Sequence, residues 1–227
     1  MAKSQSSHRK SQSATTVGDP APVLEVLSKL GRTESVPPGR TLFRQGDLAD
    51  ALYVLQSGSL EVSILSEEGR KLTLNHMTAG TIFGEIGLMD SGPRSATVTA
   101  DDACEILKVP REVLLNEIRA NPDFALAIIQ LCVERLRWVS SQLEEHVFLP
   151  LPVRMARRLE FLMRSMDRGP EIPISQSALA DHVGVTREAV AKVLSEWKAS
   201  GMVAPGRGKI QILDAAALRE MTRVGQV

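Results

Sequence analysis

Between Gly39 and Gly80 a glycine returns every 7 to 12 residues, at Gly39, Gly46, Gly58, Gly69 and Gly80, and this punctuation limits the fold more than any other feature of the chain. Helices of ordinary length do not fit between such breaks, whereas short strands joined by tight turns do. The intervening segments LYVLQ, LEVSIL and KLTLNHM are rich in Val, Leu, Ile and Thr, which suit a pleated, half-buried surface. ATVTA and CEILKV read as two more strands of the same unit. The spacing predicts a compact β-roll, a jelly-roll barrel.

On either side the period is helical. Val23, Leu24, Val26, Leu27 and Leu30 fit a short helix ended by Gly31. From about Asp123 to Phe148 there is no Pro or Gly, and Ala125, Ile129, Cys132, Leu136, Val139, Leu143 and His146 alternate steps of four and three. That is the seam of a left-handed coiled coil and predicts a homodimer; the alternative is an amphipathic helix packed on its own barrel. Pro150 and Pro152 are expected to stop the helix and form a stiff joint. VRMARRLEFLMRSM then reads as an amphipathic helix, and GPEIPIS as a loop or short strand.

In SQSALADHVGVTREAVAKVLSEWKASGMV, Leu179, Ala180 and Val183 share one helical face and Gly184 breaks it. Val185, Val190, Val193 and Leu194 resume on a second helix capped by Thr186, which makes a helix-turn-helix. APGRGKIQIL adds two short strands around a basic turn, the form of a wing. The class is therefore α+β in four parts: a flexible tail over 1–22, the β-roll over 23–121, a dimerisation helix over 122–149 and a winged helix-turn-helix over 150–227.

Composition narrows the function. With 227 residues and 43% hydrophobic content the chain can bury a core without staples. No stretch approaches the roughly 18 to 20 apolar residues of a membrane span, and Cys104 and Cys132 lie too far apart for a local metal motif, so a soluble, cytoplasmic protein is expected. The net charge of zero conceals a segregation: +2 over 1–22, −6 over 23–149 and +4 over 150–227. A basic C-terminal third suits a polyanion, although a solvated helix face explains +4 equally well. The tail, rich in Ser, Gln and Thr, cannot order itself by burial; Lys3, Arg9 and Lys10 would let it serve as a nucleic-acid arm. No nucleophile, base and orienting group assemble, and no metal set, so an enzyme is not expected.

FGEIGLMDSGPRSA, residues 83–96, is the segment that carries chemistry. Gly84 lets backbone approach a ligand, and a helical turn from Glu85 to Met89 would point free N–H groups at an anion. Arg94 adds a forked cation for the same oxygens and Ser95 a hydroxyl; Phe83, Ile86 and Leu88 would wall the barrel. Glu85 is out of place beside a plain phosphate. It fits a ligand that presents a ribose hydroxyl beside its phosphate, a donor for a carboxylate. The alternative is a structural ion pair between Glu85 and Arg94.

Together the β-roll, the long helix, the winged helix-turn-helix and the pattern GExxLxxxxxRSA resemble the Crp/Fnr family of bacterial transcription regulators, over roughly residues 23–213. The resemblance implies a cyclic-nucleotide-responsive, homodimeric DNA-binding regulator, with cyclic AMP as the expected effector and cyclic GMP or another nucleotide as alternatives. It places Arg135 facing the ribose and Glu85, and puts Val139 and Ser140 where the family has a Thr-Ser pair that reaches the base. The first hydroxyl is thus missing, while Ser140 would act from the partner subunit; Trp138 is a further base contact or a packed indole. An iron–sulfur sensor needs N-terminal cysteines that this chain lacks, and a haem sensor places Cys and His where Gly84 and Ile86 stand. His76 is read as a surface or turn residue.

On double-stranded DNA, Arg187, Glu188 and Lys192 match family positions occupied by Arg, Glu and Arg, which implies a palindromic TGTGA-like site. Lys192 keeps the charge but loses the fork. Ser175, Ser177, Arg207 and Lys209 would serve the phosphate backbone, and Thr186, the cap of the second helix, is a further DNA-binding candidate. The loop RSMDRGPEIPI is, by resemblance, a contact for RNA polymerase. Two rivals remain: a sensor acting through a protein partner, and a ligand-independent regulator of the same family.

Overall fold

A computed structural model of the chain describes residues 21–166 and 170–223. The expected tail lies outside the described residues except for Ala21 and Pro22, and so does the middle of the RSMDRGPEIPI loop. Helix α1 (Ala21–Leu30) leads into strands β1 (Arg32–Val36), β2 (Thr41–Phe43), β3 (Ala51–Ser57), β4 (Ser59–Leu65), β5 (Lys71–Thr78) and β6 (Ile82–Phe83). The short helix α2 (Ile86–Met89) separates these from β7 (Thr97–Ala100) and β8 (Cys104–Pro110). They form two four-stranded antiparallel sheets, ordered β1-β8-β3-β6 and β2-β7-β4-β5, which face each other as the expected roll.

Strand β3 shows how the sequence sets this packing. Successive side chains of a strand point to opposite faces. Ala51, Tyr53 and Leu55 enter the core between the sheets, with Leu60, Phe83 and Val98. Leu52 and Val54 enter a second core, where Leu27, Leu114 and Phe124 of the helices cover the outer face. A strand buried on both sides reads as the continuous apolar run ALYVL instead of an alternation.

Two helices follow, α3 (Arg111–Ala120) and α4 (Pro122–Phe148). The Asn121 side chain accepts from Phe124 N at 3.1 Å, and Pro122 opens α4, where a missing N–H costs nothing. Phe124 and Ile128 anchor the helix on the roll. Its free edge carries Leu126, Ile129, Val133, Leu136, Leu143 and Val147, all exposed. This stripe alternates steps of three and four and takes Ser140 in its place between Leu136 and Leu143. The seam read from sequence shares Ile129, Leu136 and Leu143 with it. The other positions differ: Ala125 and Cys132 are half-buried, Val139 lines a cavity between α4 and the roll, and His146 is exposed off the stripe, beside Gly184. Periodicity alone does not say which edge of a broad apolar face meets the helix's own barrel.

The C-terminal unit comprises α5 (Leu151–Met166), β9 (Glu171–Ile172), α6 (Gln176–Val183), α7 (Arg187–Ala199), β10 (Val203–Gly206), β11 (Lys209–Ile212) and α8 (Ala215–Arg223). Its sheet, ordered β10-β11-β9, covers a separate core built around Met155, Leu159, Leu179, Leu194, Trp197 and Ile210. The expected proline joint is shorter than the sequence suggests. Only Leu149 and Pro150 separate α4 from α5, and Pro152 lies in the first turn of α5, where proline is tolerated.

This unit touches the roll of the same chain, α6 lying on β5. A Cβ on Gly184 would come 3.1 Å from Leu72 Cδ1, and the rings of His76 and His182 are 5.2 Å apart. His76 is therefore neither a turn nor a free surface residue: it lies within β5, half-buried, with Nδ1 2.7 Å from Asp101 Oδ2. Among the described residues no helix is long and apolar enough to cross a membrane.

Candidate functional site

The segment 83–96 closes one end of a cavity of about 390 Å³ between the β2-β7-β4-β5 sheet and α4, within the ~300–1,000 Å³ usual for small-molecule sites. Gly84 adopts φ +83°, a conformation open to glycine, and a Cβ there would meet Arg94 Nη1 at 2.7 Å. The chain then turns into α2, which starts at Ile86 with Glu85 as the preceding residue. Ile86 is 48% exposed at the cavity mouth, so it does not wall the barrel as expected; Leu88 and Phe83 do.

Arg94 is 3% exposed. Its Nη1 donates to Gly84 O at 2.8 Å, and its Nη2 to Ala51 O at 2.8 Å and to Asp50 Oδ1 at 3.1 Å. The guanidinium carbon lies 4.2 Å over the Phe43 ring, which belongs to a cluster with Tyr53 and Phe83. Its Nε is buried with no partner among the described residues. The Asp50 side chain is 59% exposed and also shared with Lys108, so it compensates the buried cation only in part. An anion in the cavity would complete that compensation. Asp50, Phe43 and Tyr53 were not legible as site residues, since they join Arg94 only through the fold.

Glu85 pairs with Arg135, not with Arg94. Glu85 is 2% exposed, and Arg135 Nε donates to its Oε1 at 3.2 Å while Arg135 Nη2 donates to Ile82 O at 3.1 Å. The carboxylate has acceptor capacity beyond this one bond, as a ribose hydroxyl requires. The charge of Glu85 adds to burial in pushing the nearby Cys132 thiol up.

Gly84, Glu85, Ile86, Arg94, Ser95, Arg135 and Val139 all line the one cavity, with Trp138 beside them. Ser140 does not. It is exposed on the outer edge of α4, and its Oγ donates to Leu136 O at 3.0 Å. Asn75 and Gln142, absent from the sequence reading, do line the cavity.

The second candidate region is α6–α7. Ser175 Oγ accepts from Ala178 N at 3.0 Å and Thr186 Oγ1 from Ala189 N at 3.3 Å, capping the two helices. Gly184, in the left-handed conformation at φ +66°, ends α6 and donates its N–H to Ala180 O. Arg187, Glu188 and Lys192 stand exposed on α7 and form no ion pair among the described residues. Ser177 is exposed in the first turn of α6, and Arg207 at the β10–β11 turn. Lys209 is also exposed, but its Nζ already lies 2.8 Å from Glu171 Oε2. Among the described residues no cluster of His, Cys, Asp and Glu could hold a metal.

Comparison with known proteins agrees with both regions. Residues 33–121 match the family model of the cyclic nucleotide-binding domain, and residues 153–221 that of the Crp-like helix-turn-helix domain. The chain is 35% identical over 185 residues to the cyclic AMP receptor protein of Thermus thermophilus, covering 82% of this chain and 85% of the relative. It is 31% identical over 179 residues to the cAMP-activated global transcriptional regulator CRP of Salmonella typhimurium, covering 76% and 85%. Among solved structures, a transcriptional regulator of the Crp/Fnr family from Eubacterium rectale superposes with a TM-score of 0.79 at 26% identity, covering 89% of this chain and 94% of that one.

Proposed function

This chain belongs to the Crp/Fnr family of DNA-binding transcription regulators and carries a cyclic nucleotide-binding domain, and from that premise we propose that it is a homodimer switched by cyclic AMP. The observation that carries this reading is the cavity in which Arg94, Glu85 and Arg135 converge. A buried guanidinium with an unpartnered Nε suits a phosphate, and a buried carboxylate beside it suits a ribose hydroxyl. Ser95, exposed into the cavity, adds a hydroxyl for the phosphate. When bound, the nucleotide supplies the negative charge that Arg94 lacks and ties the roll to α4.

The exposed apolar stripe on α4 supports the dimer, since such a line is rarely left to solvent. In that dimer, two α7 helices about 34 Å apart would enter successive major grooves of a palindromic TGTGA-like site. Arg187 and Glu188 read base edges, Lys192 adds charge, and Thr186, Ser175, Ser177, Arg207 and Lys209 meet the backbone. The labour is divided between 23–121, 122–149 and 150–227. RNA polymerase is the further partner in this proposal. Free thiols at Cys104 and Cys132 support a reducing compartment, the cytoplasm.

Calorimetric titration tests the site. Wild-type protein should bind cyclic AMP, and Arg94→Ala should remove measurable binding; retained binding in the variant would show that the phosphate sits elsewhere.

A further inference from the structure

We propose that Gln142, together with Asn75, reads the base of the bound nucleotide, replacing the hydroxyl that Val139 lacks. The inference rests on the nucleotide reading of the cavity and deepens it. The Glu85–Arg135 pair marks the sugar end. Gln142 lies seven residues beyond Arg135 on α4, two helical turns and roughly 10 Å further along the same face. Both line the cavity, so α4 runs from the sugar end toward the base end. Around that end the lining is otherwise apolar, with Val62, Ile64 and Leu74 from β4 and β5 and Val139 from α4. A base packs well against such walls, but its polar edge needs partners.

Two carboxamides supply them. Asn75 on β5 lines the cavity, and its Oδ1 already accepts from His76 N at 2.8 Å, so Asn75 offers its amide hydrogens. Gln142 is half-buried, its carboxamide makes no hydrogen bond recorded among the described residues, and it offers both a donor and an acceptor. Ser140, by contrast, is turned out of its own cavity with Oγ bonded to Leu136 O.

The set discriminates between purines. Adenine presents one donor group, N6–H2, flanked by ring acceptors; Gln142 Oε1 takes the donor, and the amide hydrogens of Gln142 and Asn75 meet the acceptors. Guanine presents N1–H and N2–H2 side by side, an edge best met by two adjacent acceptor oxygens; Gln142 has one, and Asn75 Oδ1 is held by His76 N. An unmatched donor of this kind weakens binding on the order of tenfold.

The test measures the dissociation constants of cyclic AMP and cyclic GMP for full-length wild-type protein and for Gln142→Met, Ser140→Ala and Arg94→Ala. Wild-type protein should favour cyclic AMP by roughly tenfold or more, and Gln142→Met should narrow the ratio to within about threefold by losing cyclic AMP affinity. It should still bind both nucleotides, which also shows that the variant is folded; Arg94→Ala should lose both. An unchanged ratio in Gln142→Met, or a ratio that collapses in Ser140→Ala instead, overturns the assignment of Gln142. Failure of wild-type protein to bind either nucleotide overturns the reading of the cavity itself, a separate result.

Discussion

His182 shows what a single side chain does at the contact between α6 and β5. Its Nε2 lies 3.3 Å from Arg158 Nη2, and since arginine only donates, Nε2 must accept and Nδ1 carries the proton. That Nδ1 is buried without a partner among the described residues. Burial, and then the charges of Arg158, His76 and Lys71, push the imidazole down to about 3. The surroundings include few compensating anions: Asp101 is taken by His76, and burial pushes the Asp181 carboxyl on α6 up. His182 is thus neutral in the fold and binds a proton only when the contact opens or the chain unfolds. Between about pH 6.5 and 3 the unfolded state holds more protons at this group, so its contribution falls as pH falls, by at most about 1.4 kcal/mol per pH unit. The melting temperature should drop between pH 7 and 5, and His182→Gln should flatten that slope; an equal slope in the variant would show that His182 is not titrating. None of this was visible in the sequence, where His76 and His182 are isolated histidines 106 positions apart. The segment 83–96, a phosphate-binding cassette in this reading, was visible because Gly84, Glu85, Arg94 and Ser95 lie within twelve residues, whereas Asp50, 44 residues from Arg94, left no local signal.

At the scale of elements, the proposed dimer rests on α4. Leu136 is 67% exposed in the single chain, so its replacement by a charge should leave the fold of one chain near its original stability, within about ±0.5 kcal/mol. Placed in an apolar seam between two helices, the same charge would be desolvated. Leu136→Glu should therefore sediment as a monomer at micromolar concentration while keeping the circular-dichroism spectrum of the folded chain, and should lose only the concentration-dependent part of its melting temperature; a dimer in this variant would show that the stripe is not the interface. The long helices and the helix-turn-helix were legible because each keeps a period of about 3.6 and is punctuated by Gly, Pro or a capping Thr, and the main strands because glycines break them into short segments rich in Val, Leu, Ile and Thr. The helices α3 and α8 were not. REVLLNEIRA and AAALREMTR each bury only one large residue deeply, Leu114 and Leu218, too few to write a periodic pattern.

For the whole molecule, what matters is that the cavity, α4 and the DNA-reading unit are in mechanical contact. The Glu85–Arg135 pair ties the cassette to α4, Arg157 on α5 meets Glu145 on α4 at 2.7 Å, and α6 rests on β5. A ligand that alters the first contact can bias the others if it binds one arrangement more tightly, and couplings of this kind are worth about 1–3 kcal/mol, or 5–150-fold. The two-unit plan could be read from sequence, but the docking of α6 on β5 could not, because Leu72 and Gly184 carry no mark of their contact. The most direct measurement is the fluorescence anisotropy of a labelled duplex carrying a palindromic TGTGA-type site, titrated with full-length protein at fixed salt with and without cyclic AMP. Cyclic AMP should tighten binding to this duplex by at least about tenfold, with a much smaller effect on a scrambled duplex; equal affinity for the palindrome with and without the nucleotide would contradict a cyclic-nucleotide switch.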